Sequence, residues 1–256
     1  MKIIAVANQK GGAGKTTTAL NLACGLAAKR KKVLAVDMDG QCSLSYLLGV
    51  PIENIPDDRN TYTLLTGKAS AQDCIMQTGS IKLIPGSPAL YEADMTVNQV
   101  GKEYRLKKAL AELSGFDYII LDTCPSLGIL TVNAFTAAEK VIIPVQAELL
   151  SLLGLQQLSD TLSAVREYCN PNLKIDGILI NRYQGRARLS KDFTLALEQQ
   201  AQALGTRVYP TPIRESITVK EAQSMSKSIF EYAPNAPVTQ DYNAFIDAIL
   251  KGAKKK

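Results

Sequence analysis

The chain has 256 residues, 46% of them hydrophobic and 21% charged, which supplies a full apolar core and excludes a disordered chain. Its net charge of +5 favours an anionic partner such as a nucleic acid, although an acidic protein fits equally. With five cysteines that form no C-x-x-C pair and no histidine, the sequence argues against a disulfide framework and a zinc site, and it leaves catalysis to carboxylates, lysines, main-chain amides or a metal.

Six short runs are typical of buried strands, because their residues are apolar on both faces rather than alternating. They are residues 3–7, 33–37, 81–85, 118–122, 141–145 and 175–180, with a weaker seventh candidate at residues 207–213. Helical patterns lie between them, most clearly at residues 14–29 and 155–168. This alternation predicts an α/β fold with a doubly wound, mostly parallel sheet and helices on both faces.

The most loop-like stretch is residues 51–67, where two prolines, Pro51 and Pro56, lie close to Asn60. We expect one domain over residues 1–256, with a flexible basic tail at residues 251–256. No run approaches the about 20 apolar residues that span a bilayer, and no signal peptide is recognisable. These features predict a cytoplasmic protein.

A glycine-rich loop follows the first strand and opens the first helix. It consists of Lys10, Gly11, Gly12, Ala13, Gly14, Lys15, Thr16 and Thr17. It matches the second glycine, lysine and threonine positions of a Walker A phosphate loop, with Gln9 where the first glycine usually stands. Glycines let main-chain N–H groups and the helix N-terminus approach phosphates. Lys15 is then placed for the β- and γ-phosphates, and the Thr16 hydroxyl for Mg²⁺.

Lys10 is not part of the ordinary Walker A pattern. A lysine this early in the loop lies too far back to contact the nucleotide of its own subunit easily. It could enter the site of a neighbouring subunit, or remain a solvated loop lysine. The loop resembles the K-G-G-x-G-K-[ST] signature of the ParA/MinD family of deviant Walker A (SIMIBI) P-loop ATPases. Residues 33–41 resemble the family's D-x-D-P-Q motif, with Gly40 in place of proline, which would loosen the turn. Residues 119–128 resemble its Walker B motif, with Cys124 in place of the first proline.

The resemblance implies an ATPase that uses ATP/ADP and Mg²⁺ and acts as a homodimer. Lys10 would cross the dimer interface and stabilise charge on the partner's phosphates. Asp39 would orient the attacking water and contribute to the metal site, while Asp122 would hold the Mg²⁺ shell together with Thr16. Asp37 is the alternative for the metal shell, and capping of strand ends is the alternative role of these acids.

The base pocket is indicated by fewer residues. Asn181 ends a strand where members of this family often place an amide that reads adenine, and Pro212 and Ile213 would form an apolar wall. Asn181 could equally be a turn residue after the strand.

Partition ATPases of this family bind DNA without sequence preference through basic residues in their C-terminal half. The corresponding residues here are Arg186, Arg188, Lys191, Arg214, Lys220 and Lys227. Point charges suit such binding, because the DNA backbone carries no sequence information, and a solvated charged face is the alternative. The resemblance implies DNA binding in the ATP-bound state, association with the nucleoid, and a ParB-like or small centromere-binding protein that stimulates a weak ATPase.

MinD-like members of the family attach to membranes through a C-terminal amphipathic helix. Residues 242–250 do have an apolar face. Because only a short basic tail follows it, we expect this helix to pack on the sheet and no stable membrane anchor. A phosphate loop that begins at residue 10 also predicts no N-terminal helix-turn-helix. We therefore expect a ParA-type protein that segregates plasmid, chromosome or mobile-element DNA. The alternative is a MinD-like regulator that positions a protein cargo or acts at a membrane.

Overall fold

The computed structural model describes residues 1–148, 150–184 and 188–252, and it describes only the backbone of residues 150–153 and 188–192. The described strands are β1 (Lys2–Val6), β2 (Val33–Met38), β3 (Met76–Thr78), β4 (Ile81–Ile84), β5 (Tyr118–Thr123), β6 (Lys140–Gln146) and β7 (Lys174–Asn181). They form one sheet in the order β3-β4-β2-β5-β1-β6-β7. Neighbouring strands are parallel except β3, which runs antiparallel to β4.

Helices connect the strands and cover both faces of the sheet. They are α1 (Lys15–Ala28), α2 (Ser43–Leu47), α3 (Thr61–Leu65), α4 (Ala93–Thr96), α5 (Arg105–Ala111), α6 (Ile129–Ala137), α7 (Leu150–Tyr168), α8 (Arg188–Ala203), α9 (Ile217–Ser224), α10 (Ile229–Tyr232) and α11 (Pro237–Gly252). Single 3-10 turns lie at Ile52–Asn54, Pro88–Glu92 and Lys102–Tyr104.

Alternate residues of each central strand enter two separate apolar cores. In β1, Ala5 packs in the core beneath α5, α6 and α7, whereas Ile4 and Val6 pack in the core beneath α1 and α11. A strand covered on both faces must be apolar throughout, which is the pattern of the predicted strands. The predicted fold class is therefore confirmed.

Two local expectations differ from the structure. Residues 207–213 form no strand and pair with β7 at one isolated bridge, between Ile178 and Val208, because Pro210 and Pro212 have no N–H to donate to a ladder. The expected loop over residues 51–67 contains α3, whose first turn is capped by the Asn60 side chain accepting hydrogen bonds from main-chain N–H groups.

The apolar face of α11 packs on the sheet as expected. Tyr242, Phe245, Ile246 and Ile249 are all buried in the same core as α1. Of the helices that the structure describes, none is long and apolar enough to cross a membrane. The expected basic tail falls largely on residues 253–256, outside the described residues.

Candidate active site

The phosphate loop leaves the carboxyl end of β1, which lies between β5 and β6 near the centre of the sheet. Gly12 and Gly14 have φ angles of +76° and +87°, in the left-handed region that favours glycine. A Cβ atom at Gly14 would also lie 2.6 Å from Nδ2 of Asn181. The loop therefore requires glycine at both positions, and α1 begins directly after it.

Three buried carboxamides from the ends of neighbouring strands hold the main chain of this loop. Asn8 follows β1, Gln146 ends β6 and Asn181 ends β7. The bonds are Asn8 Nδ2 to Pro144 O (2.6 Å), Lys10 N to Asn8 Oδ1 (2.9 Å), Gln146 Nε2 to Gly12 O, and Asn181 Nδ2 to Ala13 O (3.1 Å) and to Thr18 Oγ1 (3.0 Å). The sequence motifs do not include Asn8 and Gln146. The one feature of the sequence that could have indicated them is a polar residue at the end of an apolar strand.

The larger cavity beside the loop has a volume of about 560 Å³ and brings most of the predicted site together. Its lining includes Gly11, Gly12, Gly14, Lys15, Thr16, Thr17, Asp39, Gly40, Gln41, Tyr91, Asp94, Cys124 and Ser126. Ala13, which is part of the loop, is fully buried and does not line the cavity. The phosphate-binding residues and Asp39 therefore face one space.

Lys15 is poised for an anion. Its side chain is buried, and Nζ donates to the main-chain oxygen of Lys10 at 3.3 Å. Burial lowers the pKa of the Lys15 ammonium, while the nearby Asp122 and Asp39 carboxylates act in the opposite direction. Because a buried charge needs compensation, this ammonium would gain from a phosphate in the cavity.

Asp122 is fully buried, and neither of its carboxylate oxygens has a hydrogen-bond partner among the described residues. Burial raises its pKa well above the ordinary value, and the neighbouring Asp37 carboxylate raises it further, while Thr16 and Lys15 favour the charged form. An orphaned buried carboxylate beside a threonine hydroxyl fits the outer shell of a hydrated Mg²⁺.

Asp37 has a different environment. Its carboxylate accepts hydrogen bonds from Ser45 N (2.8 Å), Ser45 Oγ (2.7 Å) and Asp39 N (3.2 Å). Burial raises the pKa of Asp37 to about 6 despite these bonds. The carboxylate is thus occupied in holding the turn after β2, so the alternative of a metal-shell role for Asp37 is not supported by the geometry.

Asp39 lines the cavity at the start of that turn. Its Oδ1 accepts the Gln41 N–H at 3.0 Å, and its main-chain oxygen accepts the Cys42 N–H at 2.9 Å. Cys124 is buried, and burial raises the pKa of its thiol, which suits packing rather than thiol chemistry.

Lys10 does not line the cavity. Its ammonium forms an ion pair with Glu148, whose side chain is more exposed than that of Lys10. Exposed pairs of this kind contribute about 0–1 kcal/mol, so the lysine could leave Glu148 at small cost.

Next to the residues expected to form the base pocket lies a second cavity of about 150 Å³, which adjoins the loop at Gly12, Gly14 and Thr17. Asn181 and Ile213 line this cavity, whereas Pro212 does not line it in the described structure. Asn181 already donates its amide to the loop, and its Oδ1 is buried without a hydrogen-bond partner among the described residues. Its position supports a role in holding the loop more directly than one in reading adenine.

The expected DNA-binding residues are not equivalent. Arg214 donates to both carboxylate oxygens of Asp241, at 2.6 and 2.8 Å, so its charge is already paired. Lys220 and Lys227 are exposed and form no ion pair with any described residue, and Lys220 also borders the second cavity. Arg186 and the side chains of Arg188 and Lys191 lie outside the described residues.

A loop of this geometry at the centre of the sheet, next to carboxylates from two adjacent strands, makes the chain a P-loop nucleotide-binding protein of the deviant Walker A class. A family profile described as an AAA domain matches residues 1–175. The chromosome-partitioning ATPase Soj of Thermus thermophilus is 40% identical over 96% of this chain and 94% of its own length. The chromosome partitioning protein ParA of Myxococcus xanthus is 36% identical over 98% of this chain and 88% of its own. The chain belongs to the ParA/Soj family of partition ATPases.

A solved structure with a similar fold carries nucleotide. A Mycobacterium smegmatis protein described as cobyrinic acid a,c-diamide synthase, with bound ADP and magnesium, has a TM-score of 0.86 and 33% identity. The match covers 100% of this chain and 96% of that chain. Its name differs from those of the partition proteins, so the fold by itself does not determine what the nucleotide site controls.

Proposed function

We propose that this chain is a Mg²⁺-dependent partition ATPase whose ATP-bound homodimer binds DNA without sequence preference. The observation that carries the proposal is one cavity lined by a phosphate loop, by the buried Lys15 and by Asp39, with the unpartnered carboxylate of Asp122 close enough to Lys15 to interact with its charge. Full-length relatives at 36–40% identity are named chromosome-partitioning proteins, which supports partition as the output.

The loop binds the phosphates of ATP. Residues 11, 12 and 14–17, which include the first turn of α1, line the cavity, so their main-chain N–H groups would meet the phosphates, and Lys15 supplies the positive charge. The positive φ angles of Gly12 and Gly14 permit this close approach of the main chain. Thr16 and Asp122 would hold Mg²⁺, which neutralises charge on the phosphates.

Asp39 positions the water for hydrolysis. It follows β2 directly and lines the cavity, where a carboxylate can accept a proton or a hydrogen bond from water close to the terminal phosphate. Lys10 completes the site of the partner subunit after leaving Glu148 and stabilises charge there, as an arginine finger does.

DNA contacts are assigned to Lys220 and Lys227, together with Arg186, Arg188 and Lys191. Both described lysines are exposed and unpaired among the described residues. Lys220 lines the second cavity together with residues of the phosphate loop. This shared lining offers a physical link between bound ATP and the DNA surface. A ParB-like or small centromere-binding protein would stimulate hydrolysis and release the dimer from the nucleoid.

DNA retention with and without Mg²⁺·ATP, measured over a salt series, tests this function. We expect retention only with ATP and a steep loss with salt, because neutralised phosphates release counterions. Retention that is absent with ATP, or indifferent to salt, would contradict the DNA assignment. Binding of ATP-loaded protein to anionic vesicles in place of DNA would support the MinD-like alternative.

A further inference from the structure

The aromatic ring of Tyr91 occupies the space that a side chain at residue 40 would need. A Cβ atom built on Gly40 would lie 2.9 Å from Cδ2 and Cγ of Tyr91 and 3.0 Å from Cε2. Such distances are below ordinary van der Waals contact, so the ring and a larger residue at position 40 cannot coexist without movement. The glycine that departs from the D-x-D-P-Q motif is therefore covered by a ring from a distant segment.

The segment that carries Tyr91 is anchored on both sides of this residue. Leu90, the preceding residue, is buried, and the Asp94 carboxylate accepts the Ile129 N–H at 2.7 Å at the start of α6. Earlier in the segment, Gly86 approaches so closely that a Cβ there would lie 3.0 Å from the main-chain oxygen of Asp39. Residues 86–94 thus pack along the turn that carries Asp39.

Tyr91 also faces the nucleotide cavity, which it lines together with Lys15 and Asp39. Its side chain is 65% exposed, so core packing does not account for the ring at this place. Glycine leaves a main chain more freedom than any other residue. A ring pressed on Gly40 removes part of that freedom from the turn.

We propose that Tyr91 is a positioning residue for ATP hydrolysis, which acts by clamping Gly40 and thereby fixing the direction of the Asp39 carboxylate. The inference rests on the proposed ATPase function of the same site. Because Tyr91 contacts the turn that carries Asp39, we expect its effect to fall on the rate of hydrolysis and not on the affinity for ATP.

The first variant removes the ring. Tyr91→Ala should lower kcat roughly tenfold, because small misplacements of a catalytic group have large effects on rate. The affinity for ATP should stay within about twofold, because Lys15 and the loop are unchanged. Tyr91→Phe keeps the ring and should retain the parental kcat. Tyr168→Ala is the matched control, since Tyr168 is 72% exposed and does not line the cavity.

The second variant adds a Cβ atom at residue 40, which would displace the ring of Tyr91. Gly40→Ala should lower kcat to a similar extent, because the new Cβ collides with Tyr91. The double variant Gly40→Ala/Tyr91→Ala should be more active than either single variant, because the collision is gone and alanine stiffens the turn. Mutual rescue of this kind is not expected if the two residues act independently.

Steady-state hydrolysis and ATP binding of the full chain and these variants decide the question. A parental protein that binds and hydrolyses ATP, with lowered kcat in both single variants and rescue in the double variant, supports the inference. A parental protein with no hydrolysis overturns the proposed function and the inference together. Normal parental hydrolysis with an unchanged kcat in Tyr91→Ala, or losses that multiply in the double variant, overturns the inference alone.

Discussion

The phosphate loop and Arg214 border the same small cavity, yet the charged groups at these two places have opposite environments. Lys15 and Asp122 are buried and have no ion-pair partner among the described residues, whereas Arg214 is exposed and paired with Asp241. Burial without a partner is costly, so a fold retains it where a bound ion supplies the missing partner. The contrast indicates that the loop is organised for a ligand, and that Arg214 is organised for the fold.

The largest expected effect comes from removing the buried ammonium. Lys15→Ala should weaken ATP binding on the order of 100-fold or more, because a charge-assisted contact to the phosphates disappears from a buried site. Thermal shift with Mg²⁺·ATP measures it, and Lys68→Ala, at an exposed position away from the cavity, is the control. If Lys15→Ala bound ATP as tightly as the parent, the buried ammonium of Lys15 would not be organised for a ligand.

A smaller effect, on the free energy of unfolding, should follow from neutralising the carboxylate of Asp122, which has no hydrogen-bond partner among the described residues. The pKa of Asp122 is raised in the folded protein, so the folded form keeps a proton that the unfolded chain loses near its ordinary pKa of about 4. The contribution of Asp122 to the free energy of unfolding is therefore greatest below that value and is lost as pH rises through the folded pKa. Asp37, with a pKa of about 6, adds a contribution of the same sign.

Asp122→Asn should flatten this slope and unfold at a higher urea concentration than the parent at neutral pH without nucleotide. The same variant should lose the additional stability that Mg²⁺ gives to the ATP complex. Urea titrations across the pH range, with and without Mg²⁺·ATP, measure both effects. A variant that is less stable at neutral pH without nucleotide would show that Asp122 has a structural partner.

The smallest effects should distinguish the paired arginine from the unpaired lysines. Lys220→Glu and Lys227→Glu should each weaken ATP-dependent DNA retention several-fold and reduce the slope of log affinity against log salt by about one. Arg214→Ala should leave that slope unchanged and lower Tm, because Asp241 loses its bidentate partner. The reverse pattern would place the DNA surface at Arg214.

The sequence predicts where the phosphate loop lies in the fold, because the pattern that defines it is local. Glycines, Lys15 and Thr16 are separated by fixed short spacings in one loop, and Asp122 ends an apolar strand whose neighbours in the sheet are themselves recognisable. Short elements carry less signal, so β3, with three residues, is not predicted.

The remaining features depend on contacts between distant parts of the chain. The Asp241 that pairs with Arg214 comes from α11, and the ring that covers Gly40 comes from the segment before α4. The hydrogen bond from Gln146 to the loop exists because β6 lies beside β1. Neither composition nor spacing reveals such partners, so the sequence places Arg214 among the DNA-binding residues and gives no sign of the ring beside Gly40.

Mixing two inactive variants tests the claim that two subunits share each active site. Lys10→Ala and Asp39→Ala should each hydrolyse ATP poorly. In a mixed dimer, the site with an intact Asp39 receives Lys10 from the other subunit, so one complete site is restored. An equimolar mixture should then recover roughly a quarter of the parental rate, because half of the dimers are mixed and each has one working site of two. Mixed dimers that form but recover no activity would contradict the claim.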